Sequence, residues 1–274
     1  MKQMEVTESS KGTTREKTLQ EVLRDEENHI ETITKVITRW KEIYHNLPMG
    51  TTILCHDFST LHEFTTSKIR WCNITMKFKV DNINKISYFD YLTRNNASKM
   101  SLLRVWDSFL RNESHQIPST ISTLCIYSDS HEKNNMHVYI MDMIQRRFKK
   151  TVLYISLPPY HGHNICDGHF AHGKQRLKSI AIYNGLQSIE QVVTAISTIS
   201  TSVNIIEYDK NISQPTEKIV KIKKYFGFLF LGDGLVYLYD QNLKFDDDPQ
   251  ESFKLSASFR KVVDEFVGDC YNYI

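Results

Sequence analysis

The sequence predicts an α/β protein in which a mixed sheet is flanked by helices. Two observations carry that prediction. Short apolar runs of strand length alternate with longer stretches whose apolar residues recur every three to four positions. The chain is also thinly punctuated, with six prolines and ten glycines in 274 residues. A hydrophobic fraction of 41% and a charged fraction of 24% are those of an ordinary globular chain. The length suits one large domain or a domain with appendages.

The elements follow in order. Residues 1–17 are polar and read as a disordered lead. From Thr18 to Tyr44 the residues Leu19, Val22, Leu23, Ile30, Ile33, Val36, Ile37, Trp40 and Tyr44 form one apolar stripe, which predicts a long amphipathic helix. Leu47-Pro48-Met49-Gly50 ends it, since proline cannot continue the hydrogen-bond ladder. Thr51 to Phe58, Ile69 to Val80 and Ile86 to Tyr91 read as three strands. Ala97 to Asn112 places Leu102, Val105, Trp106, Phe109 and Leu110 on one helical face; strand, helix and strand follow at Ile121 to Tyr127, Met136 to Phe148 and Thr151 to Leu157. Three antiparallel strands followed by alternating helices and strands is the order of the ribonuclease H-like fold, expected here over residues 18–200. Helices near Phe170 to Tyr183 and Ser188 to Ser200 close that unit. Residues 201–274 read as a small α+β appendage. It has strands at Val203 to Tyr208, Ile219 to Phe230 and Gly234 to Tyr239, a hairpin through Gly232-Asp233-Gly234, a solvated acidic loop at Asp246-Asp247-Asp248 and a last helix at Phe253 to Val267.

Composition narrows the function classes. A net charge of +2 is too small to imply a nucleic-acid partner, but Val138 to Lys178 carries seven Lys or Arg against two acids, a local face suited to phosphates. No apolar run reaches the roughly 18 residues of a membrane span, so no membrane partner is expected. The start Met1-Lys2-Gln3-Met4-Glu5 does not have the pattern of a signal peptide. Five cysteines, an odd number in apolar contexts such as Cys55, Cys72 and Cys125, read as reduced intracellular thiols.

Three aspartates stand where apolar strands give way to polar residues: Asp57 after Ile53-Leu54-Cys55-His56, Asp129 after Leu124-Cys125-Ile126-Tyr127-Ser128, and Asp167 in His161-Gly162-His163-Asn164-Ile165-Cys166-Asp167-Gly168. Carboxylates gathered on a rigid sheet can clamp two divalent cations for in-line attack on a phosphodiester. Taken singly, Asp57 reads as a turn residue more often than as a ligand, and Asp129 likewise, before polar residues suited to cap the following helix. The segment around Asp167 is the more telling, with four histidines, three glycines and an aspartate between Pro158 and Lys174. Zinc is the rival reading there, through His161, His163, Cys166, His169 and His172, but their spacing matches no common zinc signature. No Gly-x-Ser-x-Gly and no phosphate-cradling glycine loop occurs.

Taken together these segments resemble the catalytic region of eukaryotic DDE/D-type transposases and their transposon-derived relatives. The resemblance rests on Asp57-Phe58-Ser59, on Ser128-Asp129 with Asn134-Asn135 after it, and on Gly162-His163 with Asp167-Gly168 and then Lys174. It covers residues 18 to 240. It implies a ribonuclease H-like fold, two Mg2+ or Mn2+ ions on the triad Asp57, Asp129 and Asp167, and a DNA substrate. It further implies DNA contacts from His163, Asn134, Lys174 and Arg176, a homo-oligomeric assembly and a nuclear or intracellular place of action. The chain departs from the pattern in Ser130-His131-Glu132-Lys133, where Gly, Cys and Gln are usual, and in His169-Phe170-Ala171-His172, where glycines are usual. It shows no N-terminal zinc finger or helix-turn-helix. These departures keep open a degenerate copy that binds DNA or protein without cutting.

Overall fold

The computed structural model describes residues 18–61, 69–93, 99–129, 135–157, 164–184, 186, 188–206, 222–232, 234–245, 247–257, 260–261 and 263–264. The expected disordered lead, residues 1–17, lies outside them.

Helix α1 (Leu19–His45) begins at a capping box. The Glu21 N–H donates to Thr18 Oγ1 at 3.3 Å and the Thr18 N–H donates to Glu21 Oε2 at 2.8 Å, so two otherwise orphaned donors are satisfied. The stripe buries Ile33, Val36 and Trp40, all in the second half of the helix. Three strands follow: β1 (Thr51–Thr60), β2 (Arg70–Val80) and β3 (Ile83–Thr93). The last two are joined by Asp81 and Asn82 at φ 49° and 62°, the left-handed geometry of a tight hairpin turn that Asp and Asn tolerate. Then come α2 (Lys99–Asn112), β4 (Thr123–Asp129), α3 (Asn135–Phe148), β5 (Thr151–Leu157), α4 (Ile165–Asn184) and α5 (Ile189–Ile196). The remaining strands are β6 (Ser202–Ile206), β7 (Gly227–Phe230), β8 (Leu235–Tyr239) and β9 (Glu251–Lys254).

Among the described residues one mixed sheet of nine strands runs in the order β6-β3-β2-β1-β4-β5-β7-β8-β9. Strand β2 is antiparallel to both β1 and β3, whereas β4 is parallel to β1 and to β5. Residues 201–274, read from sequence as an appended module, add β6 to one edge, parallel to β3, and β7 to β9 to the other. Strands β7 and β8 pair as the expected antiparallel hairpin, with Gly232 and Gly234 at φ 116° and 77°. Strand β9 was not expected, and its last two residues, Phe253 and Lys254, fall at the start of the helix predicted for Phe253 to Val267. Among the described residues no helix is long and apolar enough to cross a membrane.

Strand alternation divides the core in two. On one face Leu54, Ile126 and Val152 pack under Trp106 and Phe109 of α2 and Val138 and Met141 of α3. On the other, Ile53, Cys55, Tyr127 and Ile155 meet Trp40 of α1, Cys166, Phe170 and Leu177 of α4, and Val192 of α5. The second face positions the candidate site.

Candidate active site

Asp57 lies on β1 two residues beyond Cys55 and so shares its face, under α4. The strand does not end there as the sequence suggested; it continues to Thr60. Asp57 pairs with Asn73 on β2, and Asn73 pairs with Asp90 on β3, so these three polar residues form one row across the sheet. Antiparallel partners point to the same face, and two strand spacings separate the row's ends by about 10 Å.

Asp167 also sits differently from its expectation. It lies inside α4, in the first turn, rather than ahead of a helix beginning near Phe170. Asn164 caps that turn. Its Oδ1 accepts from the Cys166 N–H at 2.7 Å and the Asp167 N–H at 3.3 Å, and its own N–H donates to Asp167 Oδ2 at 2.8 Å. This is a capping box written with Asn and Asp. With Oδ1 committed to the cap, the amide group of Asn164 must face the sheet, where Nδ2 donates to Asp57 Oδ2 at 3.0 Å. Asp57 Oδ1 accepts from the Phe58 N–H at 2.7 Å. One asparagine therefore joins the carboxylate of β1 to that of α4, and both carboxylates are half-buried.

Asp129 is the last residue of β4. The last bridged pair of β1 and β4 is Cys55 with Tyr127, and Asp57 and Asp129 each stand two residues beyond it. The backbones thus bring the two to the same end of neighbouring parallel strands; the Asp129 side chain lies outside the described ones. His163 and Asn134, expected at the substrate, and His161 of the zinc alternative also lie outside the described residues. Lys174 is half-buried on α4, seven residues on from Asp167, hence about 10 Å along the helix axis. Arg176 donates through Nε to the Ala195 carbonyl at 3.0 Å, tying α4 to the end of α5.

Among the described residues the zinc donors do not gather. Cys166 is fully buried, His169 is engaged elsewhere and His172 is exposed. Among the described residues no group of three His, Cys, Asp or Glu is placed to hold a metal ion. Thiol chemistry is not supported either. Cys166 Sγ lies 3.5 Å from Cys55 Sγ, and burial, reinforced by that neighbour, pushes the Cys55 thiol far up. Burial raises Cys125 to about 12, so neither supplies a thiolate near neutrality.

Sequence reasoning missed the polar layer beneath α4. Asp90 is fully buried and accepts four bonds: from Trp71 Nε1 at 2.6 Å, Asn73 Nδ2 at 2.7 Å, Ser200 Oγ, and His169 Nε2 at 2.7 Å. The His169 ring stacks on Tyr88 with centroids 4.2 Å apart and 6° between planes. On the far side of the site, Tyr127 accepts from the Ile165 N–H at 3.4 Å and packs against Trp40 of α1, with ring centroids 3.6 Å apart. One signal was available in the sequence, the Asn164-x-x-Asp167 spacing of a helix start.

No protein-family model and no curated protein matches the chain. Among solved structures it is similar to the crystal structure of NurA with manganese, at 11% identity and a TM-score of 0.19, over 91% of this chain and 62% of that one. It is also similar to the crystal structure of NurA bound to dAMP and manganese, at 11% identity and a TM-score of 0.17, over 66% of this chain and 46% of that one. The chain thus spans less than two thirds of the length of either NurA chain.

Proposed function

We propose that this chain cleaves DNA phosphodiester bonds with divalent cations held by Asp57, Asp129 and Asp167 on a ribonuclease H-like core. The observation that carries the reading is the meeting of Asp57 and Asp167 on Asn164, carboxylates more than a hundred residues apart in the chain. The order β3-β2-β1-β4-β5, with β2 alone antiparallel to its neighbours, is that of the ribonuclease H-like fold and supports the same reading.

The donor chemistry fits. Carboxylate oxygens are hard ligands that suit Mg2+ or Mn2+ better than zinc. When bound, such cations lower the pKa of an attacking water or 3′-hydroxyl and stabilise the leaving oxygen. The protein's own residues do the positioning. The sheet holds Asp57 on a rigid strand, Asn164 orients its Oδ2, and the cap holds Asp167 within the first turn of α4. Lys174, and Lys178 on the exposed side of the same helix, would take flanking phosphates.

The test is cleavage of labelled DNA by the full chain with Mg2+ or Mn2+. The expected result is cleavage that a chelator stops and that Asp57→Asn reduces to background without moving the thermal unfolding midpoint. No cleavage with either cation, or cleavage indifferent to Asp57→Asn, overturns the reading. Salt-sensitive DNA binding without cleavage does so too, and assigns the scaffold to binding alone.

A further inference from the structure

We propose that His169 and Asp90 are the positioning couple of this site, fixing where the first turn of α4 lies along the sheet and hence where Asp167 stands relative to Asp57. The inference rests on the nuclease reading for its consequence and on separate observations for its geometry. The buried stripe of α4 is Cys166, His169, Phe170, Gly173 and Leu177. Cys166, Phe170 and Leu177 fill space and Gly173 leaves room for Trp71, while the fifth position is an imidazole where an apolar side chain would pack as well. Burying that ring demands a partner, and its partner is a carboxylate with no exposure at all.

Asp90 gathers its donors from separate parts of the fold: Trp71 and Asn73 on β2, His169 on α4, and Ser200 ahead of β6. Three of the four come from outside α4, so Asp90 keeps its place whatever α4 does. The imidazole is fixed in turn, with Tyr88 flat against it and Trp71 edge-on at 5.6 Å and 69°. Close apolar packing seats the helix but is not directional. A hydrogen bond from an immobilised ring to an immobilised carboxylate adds direction, because it weakens steeply with distance and angle. Asp167 precedes His169 by two residues, so any axial slip of α4 moves its carboxylate by the same amount. A misplacement of about 1 Å costs on the order of a hundredfold in a positioned reaction.

The test separates the donor from the space it fills. His169→Gln keeps an N–H near Nε2, whereas His169→Leu keeps apolar volume and removes the donor. Hydrogen exchange of peptides covering residues 165–170 is read beside peptides from β4 and β5, without metal, and Mn2+ binding is measured separately by electron paramagnetic resonance. His169→Leu should lose about tenfold or more of the protection of residues 165–170 while β4 and β5 keep theirs, and Mn2+ affinity should fall by roughly 10- to 100-fold. His169→Gln should stay near wild type in both. Unchanged protection in His169→Leu, or a His169→Gln variant as perturbed as His169→Leu, overturns the proposal. If His169→Leu fails to fold, His169→Met, a flexible chain without a donor, takes its place in the comparison. A wild-type chain that binds no Mn2+ sinks the nuclease reading and leaves the exchange comparison to decide this one.

Discussion

Two glycines on α4 should respond to the same substitution with opposite signs. A Cβ on Gly173 would stand 2.2 Å from Cη2 and 2.9 Å from Cζ3 of Trp71. That indole cannot retreat, since it is fully buried and held through Nε1 to Asp90. Gly173→Ala should therefore destabilise by about 1–3 kcal/mol through overpacking. Gly168, one residue after Asp167, has nothing within 4 Å of its notional Cβ and is exposed. Gly168→Ala should stabilise by about 0.5–1 kcal/mol, the ordinary helical preference. Thermal unfolding followed by circular dichroism checks both, and equal effects would contradict the tight seat of α4 on Trp71. Neither sign was legible in the sequence, where the two glycines look alike. Asp90 was hidden for a related reason: a lone Asp within the run Tyr88-Phe89-Asp90-Tyr91-Leu92 gives no pattern, and its four donors come from positions as far apart as Trp71 and Ser200.

Among the elements, α1 shows how tertiary contact finishes what periodicity begins. Helix ends leave carbonyls without intrahelical partners. Here Lys77 of β2 reaches the end of α1, donating through Nζ to the Tyr44 carbonyl at 2.8 Å while lying 3.6 Å over the Tyr44 ring. Burial lowers the Lys77 ammonium below its ordinary range, with Lys79 adding to the effect. Lys77→Met should keep the packing, lose the bond and the cation–π contact, and cost about 1–2 kcal/mol. Hydrogen exchange should localise the loss to the last turns of α1; a uniform loss across the sheet would refute the assignment. The long helix and β1 to β5 were legible because apolar period and length agree there. The start of α4 was missed because its glycines and histidines blur the stripe, although its cap residues were in view. Strand β9 was missed because a four-residue edge strand with mostly exposed side chains has no apolar run to announce it.

At the scale of the whole molecule, the face under α2 and α3 carries a built-in sensitivity to acid. His56 is buried, lies edge-on to Trp106 at 5.6 Å and is stacked with His137 at 5.6 Å. Burial, and then the charge His137 would carry, holds its pKa well below the ordinary 6.5. The unfolded chain therefore binds this proton more readily than the folded one. The associated stability is fully present above pH 6.5 and is lost as pH falls below that value toward the folded pKa. One such group contributes a slope of about 1.4 kcal/mol per pH unit within that window. His56→Phe should flatten the decline in urea midpoint from about pH 6.5 to 5 relative to wild type. No bond is lost at Nδ1, which has no hydrogen-bond partner among the described residues. An unchanged slope would show that His56 is not the group responsible. The topology also sets a timetable for folding. The outer edge of β3 is covered by β6, which arrives so late that Tyr88 and its partner Thr201 are 113 residues apart. While the ribosome is still making that stretch, an unpaired ladder of amides and carbonyls stays open to any passing chain. Expression at low temperature or with a chaperone should accordingly raise soluble yield.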